Sequence, residues 1–113
     1  MLGHSADSLL QRPNQPDVHV AYLVLEKCTN GDLFNWTAIR AFSDGITRRL
    51  FRQILYGVHQ LHLGGFAHRD IKLDNIFLGA NFIVKVADFG FARNLEGNDG
   101  DGLLHTRLGT PGY

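Results

Sequence analysis

The stretch FAHRDIKLDNIFL, residues 66–78, sets His68, Arg69, Asp70, Lys72, Asp74 and Asn75 between two apolar flanks. The reading of that polar island decides the fold. Upstream, Ile46, Leu50, Phe51, Ile54, Leu55, Val58, Leu61 and Leu63 recur close to helical spacing, while Arg48, Arg49, Arg52 and Gln53 occupy other faces. This pattern predicts an amphipathic helix over 43–63, with Ser43 or Asp44 at its start and Gly64 with Gly65 at its end. Downstream come short β-type runs, GFAH, NIFLG and FIVKVAD, the last two joined around Gly79, Ala80 and Asn81 as in a hairpin. The island is therefore a loop held at both ends, with Asn75 opening the next strand. A second polar island, Asp-Phe-Gly at 88–90, follows the hairpin, and an antiparallel return brings Asp88 beside Asn75. Hard divalent cations such as Mg²⁺ take carboxylate and carbonyl oxygens and share their sites with substrate phosphates, so these two residues suit such an ion.

Composition narrows the field. A chain of 113 residues has room for one domain, which would bury roughly two-thirds of the surface its unfolded form exposes. Eleven basic and eleven acidic residues cancel, so no net field draws nucleic acid or an anionic membrane. The single Cys28 excludes an intramolecular disulfide, and no amino-terminal segment has the pattern of a secretory signal, which favours an intracellular, cytoplasmic setting. Apolar runs fall far short of the ~20 residues that cross a bilayer, so a soluble protein is expected. Residues 1–17 show no sustained period and read as an irregular leader or loop, whereas VHVAYLVLE, 18–26, reads as a buried strand closed by TNGD. A shorter helix is predicted over 32–41, and the glycine-rich acidic LEGNDGDG, 95–102, reads as a loop. His59 and His62 read as packing or surface residues of the long helix, not as metal ligands.

Three motifs in fixed order, HRDIKLDN, DFG and GTPGY, resemble the catalytic core of eukaryotic protein kinases of the Ser/Thr type, over residues 18–113. The resemblance implies an α+β fold: a hinge strand and a mainly helical large-lobe core with short β-hairpins. It also implies ATP and Mg²⁺ as cofactors and transfer of the γ-phosphoryl group to Ser or Thr hydroxyls of a protein substrate. Asp70 resembles the residue that orients the substrate hydroxyl and accepts its proton. Lys72 resembles the one that neutralises charge on the transferred group, and Thr110 the threonine that contacts both. Asn75 and Asp88 are the implied Mg²⁺ ligands. LVLEKCTNGDLF resembles the hinge, with Leu25 as gatekeeper, backbone groups of Glu26 and Cys28 at the adenine edge, Asp32 near the ribose and Phe77 under adenine. His68 resembles the histidine that stacks under Phe89. Arg69 resembles the arginine of kinases switched on by loop phosphorylation, which makes Thr106 the implied phosphorylated residue and an upstream kinase a partner.

Departures from the family pattern matter equally. The chain has no G-x-G-x-x-G stretch, no Val-Ala-Ile-Lys-like strand and no Ala-Pro-Glu. A partial domain, hinge through activation segment, is expected, exposing apolar residues and having little or no activity by itself. The alternative is a catalytically inactive kinase-fold interaction module, which would need neither nucleotide nor Mg²⁺. GTPGY, which in kinases positions a peptide, argues against a small-molecule phosphotransferase.

Overall fold

The amphipathic stretch forms the longest element of the computed structural model, which describes residues 1–96 and 109–113: helix α2, Asp44–Leu63. Asp44 lies in its first turn, where a negative charge complements the helix dipole, and its carboxylate accepts from Arg48 one turn on at 3.0 Å. Ser43 is the cap by backbone conformation, yet its hydroxyl makes no capping bond. Its carbonyl instead accepts from the Thr47 N–H at 2.9 Å and the Thr47 hydroxyl at 3.1 Å. Gly64 ends the helix, its N–H donating to the Gln60 carbonyl at 3.1 Å.

A shorter helix, α1, Leu33–Ile39, precedes it. Its start is set by Asp32, whose Oδ1 accepts from the Asn35 N–H at 2.8 Å and whose Oδ2 accepts from Asn35 Nδ2 at 2.7 Å. The expected hairpin is present as β4, Ile76–Leu78, antiparallel to β5, Val84–Val86, with Ile76 opposite Val86 and Leu78 opposite Val84. Two contacts fasten it to α2. Gln53 Oε1 accepts from the Val84 N–H at 3.1 Å, and a Cβ on Gly57 would come within 3.3 Å of Val86 Cγ2, so glycine permits that close approach. Leu33, Leu50, Ile76 and Leu78 form the buried core, with Trp36, Phe42, Ile54, Leu73, Val84 and Val86 packed around it.

The segment before α1 is stitched to β4. Asn30 N–H donates to the Leu78 carbonyl at 3.0 Å, and Leu78 N–H to the Gly31 carbonyl at 2.8 Å. Asn30 Nδ2 reaches the Gly79 carbonyl at 2.7 Å, while Trp36 Nε1 donates to the Asn30 carbonyl at 2.7 Å. A two-residue strand β3, Phe66–Ala67, pairs with β6, Arg93–Asn94, and so draws the chain after Asp88 back to the end of α2.

The amino-terminal expectations need correcting. Residues 1–17 are not irregular throughout: β1, Gly3–Leu10, pairs antiparallel with β2, Val18–Val24, from Gly3 opposite Val24 to Leu10 opposite Val18. The register slips between Ser5 and Ser8. That bulge breaks the alternation that would otherwise announce a strand. Nor is β2 buried, for Leu23 and the neighbouring Leu25 are 66% and 62% exposed. It belongs to a two-stranded ribbon, and among the described residues no second layer covers it.

Phe51, Leu55, Tyr56 and Leu63 of α2 are also exposed, as expected from the sequence. Among the described residues, four buried core residues set against so many exposed apolar ones leave little margin over chain entropy. The polypeptide 1–113 alone is expected to bind the dye ANS and to melt over a broad range. A sharp two-state calorimetric transition without dye binding would contradict this.

Candidate active site

The polar island folds as a loop between β3 and β4, with a single 3₁₀ turn over Leu73–Asn75. His68, Asp70 and Asn75 are its buried polar residues. Burial of such groups demands partners, and each has them. His68 Nε2 lies 2.9 Å from the Ala87 carbonyl, which can only accept, so Nε2 carries the proton; Nδ1 is then free to accept from the Asp70 N–H at 3.3 Å. The His68 ring packs against Phe89 with centroids 5.0 Å apart. The two side chains expected from the sequence to meet are in contact, with their rings tilted at 54° and not stacked.

Three residues converge on the Asp70 carboxylate. Thr110 Oγ1 donates to Oδ1 at 2.7 Å, while Lys72 Nζ and Asn75 Nδ2 each lie 3.0 Å from Oδ2. Lys72 also donates to Thr110 Oγ1 at 2.6 Å, which closes a triangle of Asp70, Lys72 and Thr110. Gly109 permits the return of the chain at this point: it has φ +127°, and a Cβ there would sit 3.1 Å from the Arg69 carbonyl. That glycine was not singled out from the sequence, although its place before Thr110 was the available signal. The Arg69, Asp70, Ile71, Gly109, Thr110 and Pro111 walls enclose a cleft of about 680 Å³.

The Thr110 hydrogen bond is the largest of the causes holding the Asp70 carboxyl below its ordinary 3.8; Lys72 and Asn75 act in the same direction and desolvation opposes them. The bond to Asp70 holds the Lys72 ammonium above its ordinary 10.5, burial opposes this, and attraction to Asp70, Asp74 and Asp88 adds to it. A depressed carboxylate contributes stability that is present above pH 3.8 and lost as pH falls through its folded value. A raised ammonium contributes stability that is present below pH 10.5 and lost as pH rises through its folded value. Both charges therefore persist across the neutral range. In Thr110→Val the Asp70 midpoint is expected to rise toward the ordinary value, read by carboxyl ¹³C titration; an unmoved midpoint would assign the shift to Lys72 instead.

The chain returns past Asn75 one residue before Asp88, the Ala87 N–H donating to the Asn75 carbonyl at 2.9 Å. Asn75 Nδ2 is committed to Asp70, to the backbone carbonyl at 2.9 Å and to Oδ2, which turns its Oδ1 into an acceptor with no protein donor among the described residues. Asp88 has φ 59°, and its Oδ1 accepts from the Gly90 N–H at 3.1 Å. No cluster of three His, Cys, Asp or Glu exists among the described residues. One amide oxygen and one carboxylate nevertheless fit Mg²⁺, which keeps waters and takes substrate phosphate oxygens to complete its shell.

The other candidates among the described residues make no hydrogen bond to the Asp70 carboxylate. Leu25 is exposed, Glu26 pairs with Lys85 of β5 at 3.1 Å, and the half-buried Cys28 accepts from the Gly31 N–H through its carbonyl at 3.4 Å. Phe77 is half-buried on the face of β4 opposite Ile76 and Leu78, and forms a β-bridge with Asp32. Both Asp32 oxygens are engaged by Asn35, which also holds that carboxyl below its ordinary range. Arg69, with φ 68°, donates through Nε to the Phe91 carbonyl at 2.7 Å. Thr106 lies outside the described residues.

The sequence matches the family model described as protein kinase domain over residues 14–113. The chain belongs to the protein kinase family. It is 42% identical over 92 residues to a CBL-interacting protein kinase 26 of Oryza sativa subsp. japonica, covering 81% of this chain and 19% of the relative. It is 34% identical over 116 residues to CBL-interacting serine/threonine-protein kinase 15 of Arabidopsis thaliana, covering 96% and 28%, and 37% identical over 113 residues to kinase 17 of that group and plant, covering 93% and 26%. The chain thus spans between 19% and 28% of the length of these kinases. The α+β kinase-like architecture expected from the motifs agrees with the match.

Proposed function

We propose that residues 18–113 carry the hinge, catalytic loop and activation segment of an ATP-dependent protein serine/threonine kinase. The closed triangle of Asp70, Lys72 and Thr110 carries this reading. Asp70 orients the substrate hydroxyl and accepts its proton late, since a carboxylate held below its ordinary range is a weak base. Lys72 offsets charge on the transferring group, and Thr110 fixes both partners. Kinases of this family generally use ATP and Mg²⁺; Asn75 Oδ1 and the Asp88 carboxylate would hold the metal, which neutralises phosphate charge when bound. Cys28, Glu26, Leu25 and Phe77 would line the adenine side, whereas Asp32 would have to release Asn35 to reach a ribose. Because the relatives are named as CBL-interacting kinases, a protein partner is included in the proposal. No helix among the described residues is long and apolar enough to cross a membrane.

The test is phosphoryl transfer by the full-length protein from labelled ATP with Mg²⁺ to matched Ser, Thr and Tyr peptides. Labelling of Ser and Thr peptides is expected; exclusive labelling of Tyr, or no transfer and no nucleotide binding, would overturn the reading. Arg69 and Thr106 are proposed as a phosphate-dependent switch. Thr106→Ala is accordingly expected to lower activity far more than Ser43→Ala, and equal effects would remove the switch.

A further inference from the structure

Two adjoining cavities at the corner of α1, α2 and the β4–β5 turn are not used by the active-site chemistry. One, of about 380 Å³, has an almost wholly apolar wall that includes Trp36, Phe42, Ile46, Leu50, Leu78 and Phe82. The other, of about 430 Å³, runs along α2 past Arg48, Arg49 and Arg52 to the same turn. Arg49, Asn81 and Phe82 border both, so the cavities form one groove with an apolar and a basic end. It shares no wall residue with the Asp70 cleft.

The turn itself is unusual. Ile83 N–H closes it on the Ala80 carbonyl at 3.2 Å, and its two central residues, Asn81 and Phe82, have φ 56° and 57°. Asparagine tolerates that region, whereas for a bulky phenylalanine it is uncommon and glycine would serve better. Phe82 is held there edge-on to Trp36, ring centroids 6.0 Å apart, and stays 52% exposed. Strain of this kind, kept at the rim of a groove, is a reason to look for a ligand.

The charges say which ligand. Arg48 is engaged by Asp44, whereas Arg49 and Arg52 are exposed and make no ion pair among the described residues. Two guanidinium groups beside an apolar pocket match carboxylates next to a large apolar side chain. A nucleic acid would need a longer run of cations than this neutral chain offers here. We propose that the groove docks an acidic peptide segment of a partner protein, with one bulky apolar side chain in the Trp36–Phe42–Phe82 pocket and carboxylates on Arg49 and Arg52.

The experiment measures fluorescence anisotropy of a labelled peptide, a single leucine flanked by glutamates, added to the full-length protein. Saturable binding that weakens with salt is expected. Arg49→Glu with Arg52→Glu should weaken it by roughly tenfold or more, because two attractions become repulsions, while phosphorylation of short Ser/Thr peptides and the melting temperature stay unchanged. Phe82→Gly relieves the turn and removes the pocket rim, so it should lower affinity with circular dichroism unchanged. No saturable binding, equal binding of the peptide with lysines for glutamates, indifference to the arginine reversal, or displacement by a short RNA would each overturn the proposal.

Discussion

Asp70→Asn is expected to lower the rate of phosphoryl transfer by roughly 10²–10⁴-fold while nucleotide affinity changes little. The reason lies in counting acceptors. The Asp70 carboxylate receives Thr110 on one oxygen and both Lys72 and Asn75 on the other. An asparagine has only one oxygen. Facing it toward Thr110 would set an NH₂ against two donors, so the amide turns its oxygen to Lys72 and Asn75 and its NH₂ to the Thr110 hydroxyl, which can accept. The loop keeps its shape, the substrate hydroxyl loses its acceptor, and Lys72 loses its counter-charge. Single-turnover kinetics with calorimetric nucleotide binding separate these effects. A transfer rate within a few-fold of the parent would show that Asp70 is only a structural acceptor.

How far the site was legible in the sequence can be argued from its parts. The return of the chain to Asn75 just before Asp88 was legible because a hairpin's register is a local rule, set by two short strands joined through a tight turn. Helix α2 was legible for the same reason, since its period spans five turns. Strand β1 was not: it exists through pairing with a segment beyond Pro13 and Pro16, and a bulge disrupts its alternation. Asp32 shows a different failure. The motif resemblance suggested a ligand contact, while the short D-x-x-N spacing held a local signal for a helix cap that engages both oxygens. Gln53 reads as one more polar residue on a helix, and only the fold shows it anchoring β5. Backbone strain at Phe82 was equally invisible, because the residue type argues against the conformation it adopts.

For Asp88 the informative substitution is Asn, not Ala. The residue sits at φ 59°, a region that asparagine tolerates and alanine does not favour. An amide oxygen can also keep the bond from the Gly90 N–H, now 3.1 Å. Asp88→Asn therefore removes a charge with little change of backbone, and any loss of activity reports on that charge. Two consequences separate from each other. The negative field on Lys72, to which Asp88 contributes, weakens, which lowers the Lys72 pKa slightly and leaves it protonated at neutral pH. The proposed metal site, by contrast, would be left with two neutral amide oxygens, those of Asn75 and of the new side chain, a poor match to a hard dication. A metal's stabilisation of the transition state amounts to several kcal/mol, and every 1.36 kcal/mol is tenfold, so transfer is expected to fall by about 10²-fold or more. The half-saturating Mg²⁺ concentration should rise with it. Measuring the rate against Mg²⁺ at fixed ATP decides the matter: a reduced rate with unchanged Mg²⁺ dependence would mean that Asp88 acts through the loop and not through the metal.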